Sequence, residues 1–478
     1  MPPTSTAHPH PGGGTPGAGP LPAGLLAPGR LRAQVASGQI DTVLLAVADG
    51  QGRLKGKEYD AGVFLERIAA GGAAELCAYV FATDVEMRPV DGFALTSWDG
   101  GYGDLRLVPA MDTARLLPWL PRTAVVLADA LDPDGQQLAV SPRAMLRRQL
   151  DVLGARGLQA RVGVETEFVL HHGTLAQAAA RGFHGMVPVT WDNRDYALDH
   201  PRELVRFSRR LRTALAGAGL PVEALKTEGA PGQVEVTFPY GDALAACDGH
   251  LLFKHAVRTV AEHCRLAATF MAAPEDTVGN GCHLHLSLWQ DDRPVMAEDS
   301  AEHGSGEELS ALGRSAVAGL LDALPQLVPL FAPNVNSYKR YQEHSFAPTR
   351  FTWGRDNRSC AVRVVGHGGG LHLEIRLPGA DANPYLALSA ALAAIRHGIE
   401  RGLQPPKPCA GDAYRDSDAP PVPRTLHEAL PAFQHSRLAE ELLGADVVAH
   451  YAQAAWIELE VQRSRVTDVE RRRGYAQT

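Results

Sequence analysis

The residues from Asn334 to Arg376 read NVNSYKRYQEHSFAPTRFTWGRDNRSCAVRVVGHGGGLHLEIR. This stretch holds six arginines and one lysine against three acidic residues, in a chain whose formal net charge is -8. Its cations alternate with aromatic residues and glycines, among them Tyr341, Trp353 and Gly366, so it is not a solvated run of charge. Guanidinium groups kept beside aromatic and glycine-rich backbone are typical of a site built around anions. The stretch therefore predicts a site for phosphates or carboxylates and leaves open which of the two it binds.

The composition of the chain indicates a globular protein with one large core and a smaller domain. It has 478 residues, of which 45% are apolar and 21% are charged, and these are ordinary values for a soluble protein. The mild acidity and the lack of a basic tail argue against nucleic acid as a bulk partner. No apolar segment is long enough to span a membrane, so we expect no membrane partner. The six cysteines are dispersed without a CxxC pair, which predicts reduced thiols in a cytoplasmic protein.

Three segments follow one another along the chain. Residues 1–30 are rich in proline and glycine and lack the basic start and apolar core of a signal peptide, so we expect a disordered tail. Residues 31–135 predict a small α+β domain, with strands at 42–49, 75–83, 105–113 and 123–131 and a helix at 61–71. A turn-rich link near residues 132–141 leads into a larger domain over 136–478. There, strand candidates alternate with long helices at 141–157, 201–219, 243–264, 308–324 and 383–402.

Four strand-like segments carry the residue types that do chemistry. The segment VGVETEFVL contains Glu165 and Glu167, GCHLHLSL contains His283 and His285, and LHLEIRL contains Glu374 and Arg376. The fourth, GQVEVTF, contains Glu235, with Glu228 seven residues earlier. Residues two apart lie on the same face of a strand. Any one segment alone could be a half-exposed strand with its polar residues in solvent, but four of them together favour a shared site.

The ligand types in these segments indicate divalent cations. Five glutamates and a histidine, mostly oxygen donors, suit Mg²⁺ or Mn²⁺ better than Zn²⁺. Five carboxylates at one site imply two or more ions, and two ions with an arginine cluster are a usual arrangement for phosphoryl transfer from a nucleotide. Since the sequence has neither a Walker loop nor a kinase catalytic loop, phosphate binding would have to depend on metals and arginines.

Seven ordered motifs resemble those of the glutamine synthetase family. They are VETEF, EGAPGQVE, ATFMAAP…GNGCHLHLSL, APNVNSYKR, RDNRSCAVRV, LEIRLPGADANPYLALSA and VTDVERRR. The resemblance covers the chain from about Ser141 to its end, and residues 31–127 are compatible with the small N-terminal β-grasp domain of that family. It implies an α+β fold whose catalytic domain is built on a mostly antiparallel β-barrel with outer helices. It also implies active sites between neighbouring subunits of a homo-dodecamer of two stacked hexameric rings.

The resemblance assigns a role to each matching position. Ligands of a first metal ion are Glu167, Glu228 and Glu235, and ligands of a second are Glu165, His283 and Glu374. Nucleotide contacts are His285 and Ser287, while Arg358 and Arg363 serve the nucleotide and the transferred phosphoryl group. Glutamate is held by Gly279, Arg340 and Arg376. The implied reaction uses ATP to form a γ-glutamyl phosphate from glutamate, and an amine then displaces phosphate to give an amide.

Three positions depart from the family pattern. Phe346 stands where ammonia-using members carry a glutamate that binds and deprotonates ammonium. The segment VDGFALTSWDGGYGD (Val90–Asp104) replaces a loop that supplies an aspartate to the same site, and His372 replaces an arginine that contributes to nucleotide binding. Because the first two changes fall on the amine site while all six metal ligands remain, we expect an organic amine such as a polyamine or ethanolamine.

The base that deprotonates such an amine is predicted on the same loop as Phe346. Glu343 and His344 are the candidates, and Tyr196 is a candidate for the lining of the amine pocket, although a purely structural tyrosine explains it as well. Three alternatives stay open: a Phe346 that only fills space, an ammonia-dependent glutamine synthetase, and a family member without catalysis.

Overall fold

The computed structural model describes residues 24–298 and 309–477. The predicted disordered tail therefore lies outside the described residues over 1–23. The first described helix, α1 (Pro28–Ala36), begins inside the range predicted as tail, with Pro28 at its first turn, where a missing N–H costs nothing.

A five-stranded sheet dominates the N-terminal part of the chain. Its strands are β1 (Thr42–Ala48), β2 (Leu54–Asp60), β3 (Ala74–Cys77), β4 (Asp104–Leu116) and β5 (Thr123–Leu131). Their order is β2-β1-β5-β4-β3, with β1 and β5 parallel and the other pairs antiparallel. The parallel pair lies inside the sheet and is buried along most of its length, as parallel strands usually are.

Two local predictions for this part were wrong in extent, and one strand was missed. The strand expected at 75–83 ends at Cys77, where a 3₁₀ turn (Ala78–Phe81) begins. The helix expected at 61–71 is a short turn, α2 (Ala61–Val63), which continues as a π-helical turn (Phe64–Ile68). Strand β2, LKGKEYD, was not predicted because its charged side chains suit a sheet edge rather than an alternating apolar pattern.

A ten-stranded sheet forms the barrel-like centre of the larger part. Its strands are β6 (Gln159–His172), β7 (Ala224–Thr227), β8 (Gln233–Thr237), β9 (Gly241–Asp242), β10 (Leu266–Thr269), β11 (Cys282–Gln290), β12 (Arg293–Pro294), β13 (Trp353–Arg355), β14 (Val362–Val365) and β15 (His372–Ile375). The main path runs β13-β14-β15-β11-β6-β8-β7, while β9 and β10 also pair with β6 and β12 pairs with β11. The described pairs are antiparallel except for β13 with β14.

Helices accompany this sheet. They are α3 (Pro142–Gly154), α4 (Leu175–Ala180), α5 (Arg202–Gly217), α6 (Ala243–His263), α7 (Ala311–Leu327), α8 (Pro384–Arg401), α9 (Leu426–Gln434), α10 (Arg437–Leu443), α11 (Ala445–Arg463) and α12 (Asp468–Gln477). Helices α7 and α8 approach so closely that a Cβ at Gly319 would overlap the carbonyl oxygen of Ala394. Over the described ranges, no helix has the length and apolar character needed to cross a membrane.

Candidate active site

The register of the barrel strands brings the predicted acidic residues together. Glu165 on β6 lies opposite His283 on β11, and Glu167 lies opposite Glu235 on β8. On the other side of β11, His285 lies opposite Glu374 on β15. Because each pair is directly cross-strand, these side chains share one face of the sheet.

Three groups of side chains have ligand atoms within 4.8 Å of one another. The first group is Glu167, Glu228 and Glu235, the second is Glu165, Glu167 and His283, and the third is Glu165, His285 and Glu374. The first group is the predicted first ligand set. The residues predicted for the second ion are spread over the other two groups. Both groups contain Glu165, but His283 belongs to one of them and Glu374 to the other, together with His285.

Burial and charge act in opposite directions on these carboxylates. Burial opposes the ionisation of Glu374, but Arg376 and its other cationic neighbours outweigh burial and lower its pKa to about 2. Burial opposes ionisation of Glu165 as well, and there the adjacent His285 and His283 hold the pKa well below its usual range. Burial, together with the negative charge of Glu165, raises the pKa of Glu235. The face thus concentrates negative charge that cations must compensate.

Lys226, on β7 and not singled out from the sequence, supplies one such cation. Its Nζ forms ion pairs with Glu228 and, at 3.5 Å, with Glu235. It also lies 4.6 Å from the centre of the Tyr196 ring, a cation–π distance. The signal available in the sequence was its position two residues before Glu228, which places both on one face of the same segment.

The two arginines predicted to hold glutamate are buried beside the metal candidates. Arg340 and Arg376 each expose 5% of their surface. Arg340 donates to the carbonyl oxygens of Arg376 and Leu377 at 3.1–3.3 Å, and the predicted loop residue Gly279 lies against its side chain. The structure thus brings Gly279 and both arginines together.

Arg376 ties three segments of the site to one another. Its Nη1 pairs with Glu374, its Nε donates to the Arg358 carbonyl oxygen at 3.1 Å, and its Nη2 donates to the Phe346 carbonyl oxygen at 3.3 Å. Glu374 also accepts from Arg363 Nη1 at 2.7 Å. Arg363 is therefore directed into the cluster, whereas Arg358 lies exposed on the adjoining turn.

The loop that carries the predicted amine-site residues is exposed and conformationally unusual. His344 and Phe346 both have positive φ, 63° and 60°, a region that costs free energy for residues other than glycine. Phe346 exposes 64% of its surface. Glu343 lines a cavity of about 720 Å³ beneath this loop, and the His344 ring packs edge-on against Tyr414 at 5.4 Å. Tyr196 belongs to a separate segment, where its ring lies against Lys226 and its backbone N–H donates to the Thr227 carbonyl oxygen at 3.4 Å.

A second cavity, of about 260 Å³, opens next to the third ligand group. It is lined by the polar side chains of Glu165, His285, Ser287 and His372 and by the aromatic rings of Tyr240 and Trp289. Trp289 Nε1 donates to Ser287 Oγ at 2.8 Å, and the Arg161 guanidinium lies 3.7 Å from the Trp289 ring centre. The two predicted nucleotide contacts, His285 and Ser287, therefore share a cavity with aromatic residues that sequence reasoning missed.

The sequence matches a known family over most of its length. Residues 139–474 match the family described as glutamine synthetase, catalytic domain. A gamma-glutamylethanolamide synthetase of Streptomyces coelicolor is 45% identical over 93% of this chain and 95% of its own length. A glutamate–isopropylamine ligase of a Pseudomonas species is 34% identical over 90% of this chain and 94% of its own length.

A solved structure agrees with this assignment. A complex of GmaS with ADP superposes with a TM-score of 0.78 and 27% identity, covering 92% of this chain and 98% of that one. The family match, the two relatives and the shared fold confirm the resemblance drawn from the seven motifs. This chain belongs to the glutamine synthetase family.

Proposed function

We propose that this chain is an ATP-dependent glutamate–amine ligase that joins the γ-carboxylate of glutamate to an organic amine. One feature carries the proposal beyond the family: Phe346, which the family resemblance matches to a carboxylate of ammonia-using members, is an exposed phenyl ring, while every predicted metal ligand is present and clustered. The similarity to a gamma-glutamylethanolamide synthetase and to a glutamate–isopropylamine ligase supports it. Polyamines and ethanolamine are the amines we expect.

The acidic face fits two or more divalent cations. Its donors are carboxylate oxygens with one imidazole in each of two groups, a set that suits Mg²⁺ or Mn²⁺. Buried nitrogens support the fit, because Nδ1 of His283 and Nε2 of His285 have no hydrogen-bond partner among the described residues. Six residues would hold the ions: Glu165, Glu167, Glu228, Glu235, His283 and Glu374. Bound there, the ions would supply neutralisation of phosphate charge and orientation of the phosphoryl group.

ATP would occupy the cavity of about 260 Å³. The adenine base of ATP would stack on Tyr240 and Trp289, because aromatic rings bind flat nucleobases through their faces. The phosphates would then extend past His285 and Ser287 toward Glu165 and Glu374. Arg363 already projects into that end of the site, and exposed Arg358 would turn inward to the transferred phosphoryl group.

The reaction would proceed in two balanced steps. An oxygen of the glutamate γ-carboxylate attacks the terminal phosphorus of ATP, the bond to the bridging oxygen breaks, and ADP leaves. The amine nitrogen then attacks the acyl carbon, phosphate leaves, and the nitrogen loses a proton to a base. Arg340 and Arg376 would hold the glutamate carboxylate, with Gly279 beside them, and Arg358 would stabilise the charge on the phosphoryl oxygens.

The amine would bind near the exposed loop. Phe346 would pack against the alkyl part of the amine, with Tyr196 a further candidate for the pocket lining. Glu343 and His344 are the proposed bases, because both lie exposed within three residues of Phe346 and an alkylammonium must lose its proton before attack.

We also propose for this chain the N-terminal domain, the subunit assembly and the cellular location that are typical of the family. The five-stranded sheet would be the β-grasp domain, with its boundary to the catalytic domain near residue 135. Subunits would assemble as two stacked hexameric rings, so that the Val90–Asp104 segment of one subunit completes the amine site of the next. The protein would act in the cytoplasm.

An ADP-release assay tests the proposal. The purified protein is given ATP, Mg²⁺ and glutamate, first alone, then with ammonium, then with ethanolamine, isopropylamine or putrescine. We expect ADP formation to depend on an organic amine. A larger kcat/KM with ammonium would indicate a glutamine synthetase instead, and no ADP formation under any condition would indicate a family member without catalysis.

A further inference from the structure

Two imidazole rings face each other across the end of strand β15. His372 lies two residues before Glu374, and its Nε2 is 3.1 Å from Nδ1 of His285 on β11. The two ring centres are 5.2 Å apart. His372 Nδ1 lies 2.9 Å from the carbonyl oxygen of Gly370. The contacts therefore form a chain from a backbone carbonyl, through two rings, to the acidic face.

The direction of this hydrogen-bond chain follows from the carbonyl at its end. A carbonyl oxygen only accepts, so Nδ1 of His372 carries a proton and donates it. In the neutral ring, Nε2 of His372 is then an acceptor, and it must take its hydrogen from Nδ1 of His285. When the His285 ring is neutral as well, its remaining nitrogen, Nε2, is left with a lone pair.

That lone pair points at the carboxylates. His285 Nε2 lies 3.3 Å from Glu165 Oε2, and these two residues form a ligand group with Glu374. Nε2 is buried and has no hydrogen-bond partner among the described residues. A nitrogen and two carboxylate oxygens that converge in this way are positioned as ligands of a divalent cation.

We propose that His372 is a positioning residue that fixes His285 in the tautomer whose Nε2 binds a divalent cation together with Glu165 and Glu374. An acceptor that takes the other ring N–H of a metal-binding histidine fixes its tautomer and orientation and strengthens the site. The inference rests on the metal assignment of the proposed function. It also gives His285 a role different from the nucleotide contact that the family resemblance implies, and the added imidazole favours Mn²⁺ over Mg²⁺ at this position.

The arginine that other family members are expected to have at position 372 could not hold His285 in this tautomer. A guanidinium only donates hydrogen bonds, so it would oppose the Nδ1–H of His285 and favour the tautomer whose Nε2 is protonated. Glutamine differs, because its side-chain oxygen accepts a hydrogen bond. Substitutions of His372 can therefore distinguish an effect on the tautomer of His285 from an effect of side-chain size.

The test measures Mn²⁺ binding without substrates. Free Mn²⁺ is followed by electron paramagnetic resonance during titration of the wild type and of His372→Gln, His372→Arg and His372→Leu, with His427→Arg on the exposed face of α9 as a matched control. We expect one class of Mn²⁺ site to weaken by about 10- to 100-fold in the Arg and Leu variants and to be retained in the Gln variant. Sites formed by Glu167, Glu228 and Glu235 should keep their affinity throughout.

The outcomes separate this inference from the proposed function. An Arg variant that binds Mn²⁺ like the wild type, or a Gln variant that weakens as much as the Leu variant, overturns the role of His372 alone. A wild type that binds no Mn²⁺ at all overturns both the inference and the metal assignment beneath it.

Discussion

Replacing Phe346 by alanine should reduce selectivity for organic amines while leaving the loop in place. The ring exposes 64% of its surface, so it is available to an incoming substrate rather than used in the core. The backbone contribution of the residue is separate, because Arg376 binds the Phe346 carbonyl oxygen. The positive φ of 60° strains phenylalanine and alanine in a similar way. Removal of the ring should therefore report on the substrate contact.

The size of the effect follows from the apolar area that the ring can cover. Each buried CH₂ contributes about 0.8 kcal/mol, so an amine with two CH₂ groups gains at most about 1.6 kcal/mol. If the ring contacts only one side of the alkyl chain, this value is halved to about 0.8 kcal/mol. At about 1.4 kcal/mol for each tenfold change, kcat/KM for ethanolamine should fall by about 4- to 14-fold. Ammonium has no alkyl part, so its kcat/KM should not change.

The assay is the ratio of kcat/KM for ethanolamine to kcat/KM for ammonium, measured by ADP release at saturating ATP and glutamate. Phe346→Leu is the matched control, since it keeps an apolar side chain and should keep most of the ratio. Phe346→Glu should raise kcat/KM for ammonium, because a carboxylate can pair with NH₄⁺. An unchanged ratio in Phe346→Ala, or an equal loss with both substrates, would refute the contact between this ring and the amine.

Three further outcomes are expected. Trp289→Ala should raise the KM for ATP by about 5- to 150-fold, the equivalent of about 1–3 kcal/mol of lost stacking, with little change in the KM for glutamate; an unchanged KM for ATP would place the base elsewhere. Gly319→Ala should destabilise the fold by about 1–3 kcal/mol in thermal unfolding because its Cβ would overlap Ala394. The control Gly154→Ala, which has open space around its Cβ, should not destabilise it, and equal melting temperatures for the two variants would contradict this packing. Removal of divalent ions with EDTA should abolish ADP formation, and Mg²⁺ or Mn²⁺ should restore it; full activity in EDTA would refute the metal requirement.

The strand periodicity predicted which faces carry the chemistry but not how the strands align. Alternation in VETEF and HLHL placed each pair on one face, and the structure brings those faces together. Periodicity says nothing about register, which depends on long-range pairing and turn geometry. For that reason the sequence could not show that His285, rather than His283, lies opposite Glu374.

Residues without a strong local signal were missed. Lys226 reads as an ordinary charged residue in a strand, and only the three-dimensional arrangement shows its ion pairs with Glu228 and Glu235. His372 was identified only as a departure from the family, because its contact with His285 joins residues 87 positions apart. Strand β2 was missed since an edge strand needs no apolar face.

A competition between amines in a single reaction shows directly which amine the enzyme joins to glutamate. The wild-type protein is incubated with glutamate, ATP, Mg²⁺ and equal concentrations of ammonium, ethanolamine, isopropylamine and putrescine, and the products are identified by mass spectrometry. We expect a γ-glutamyl derivative of an organic amine to form in excess over glutamine, with one ADP released for each amide. Glutamine as the main product would contradict this expectation.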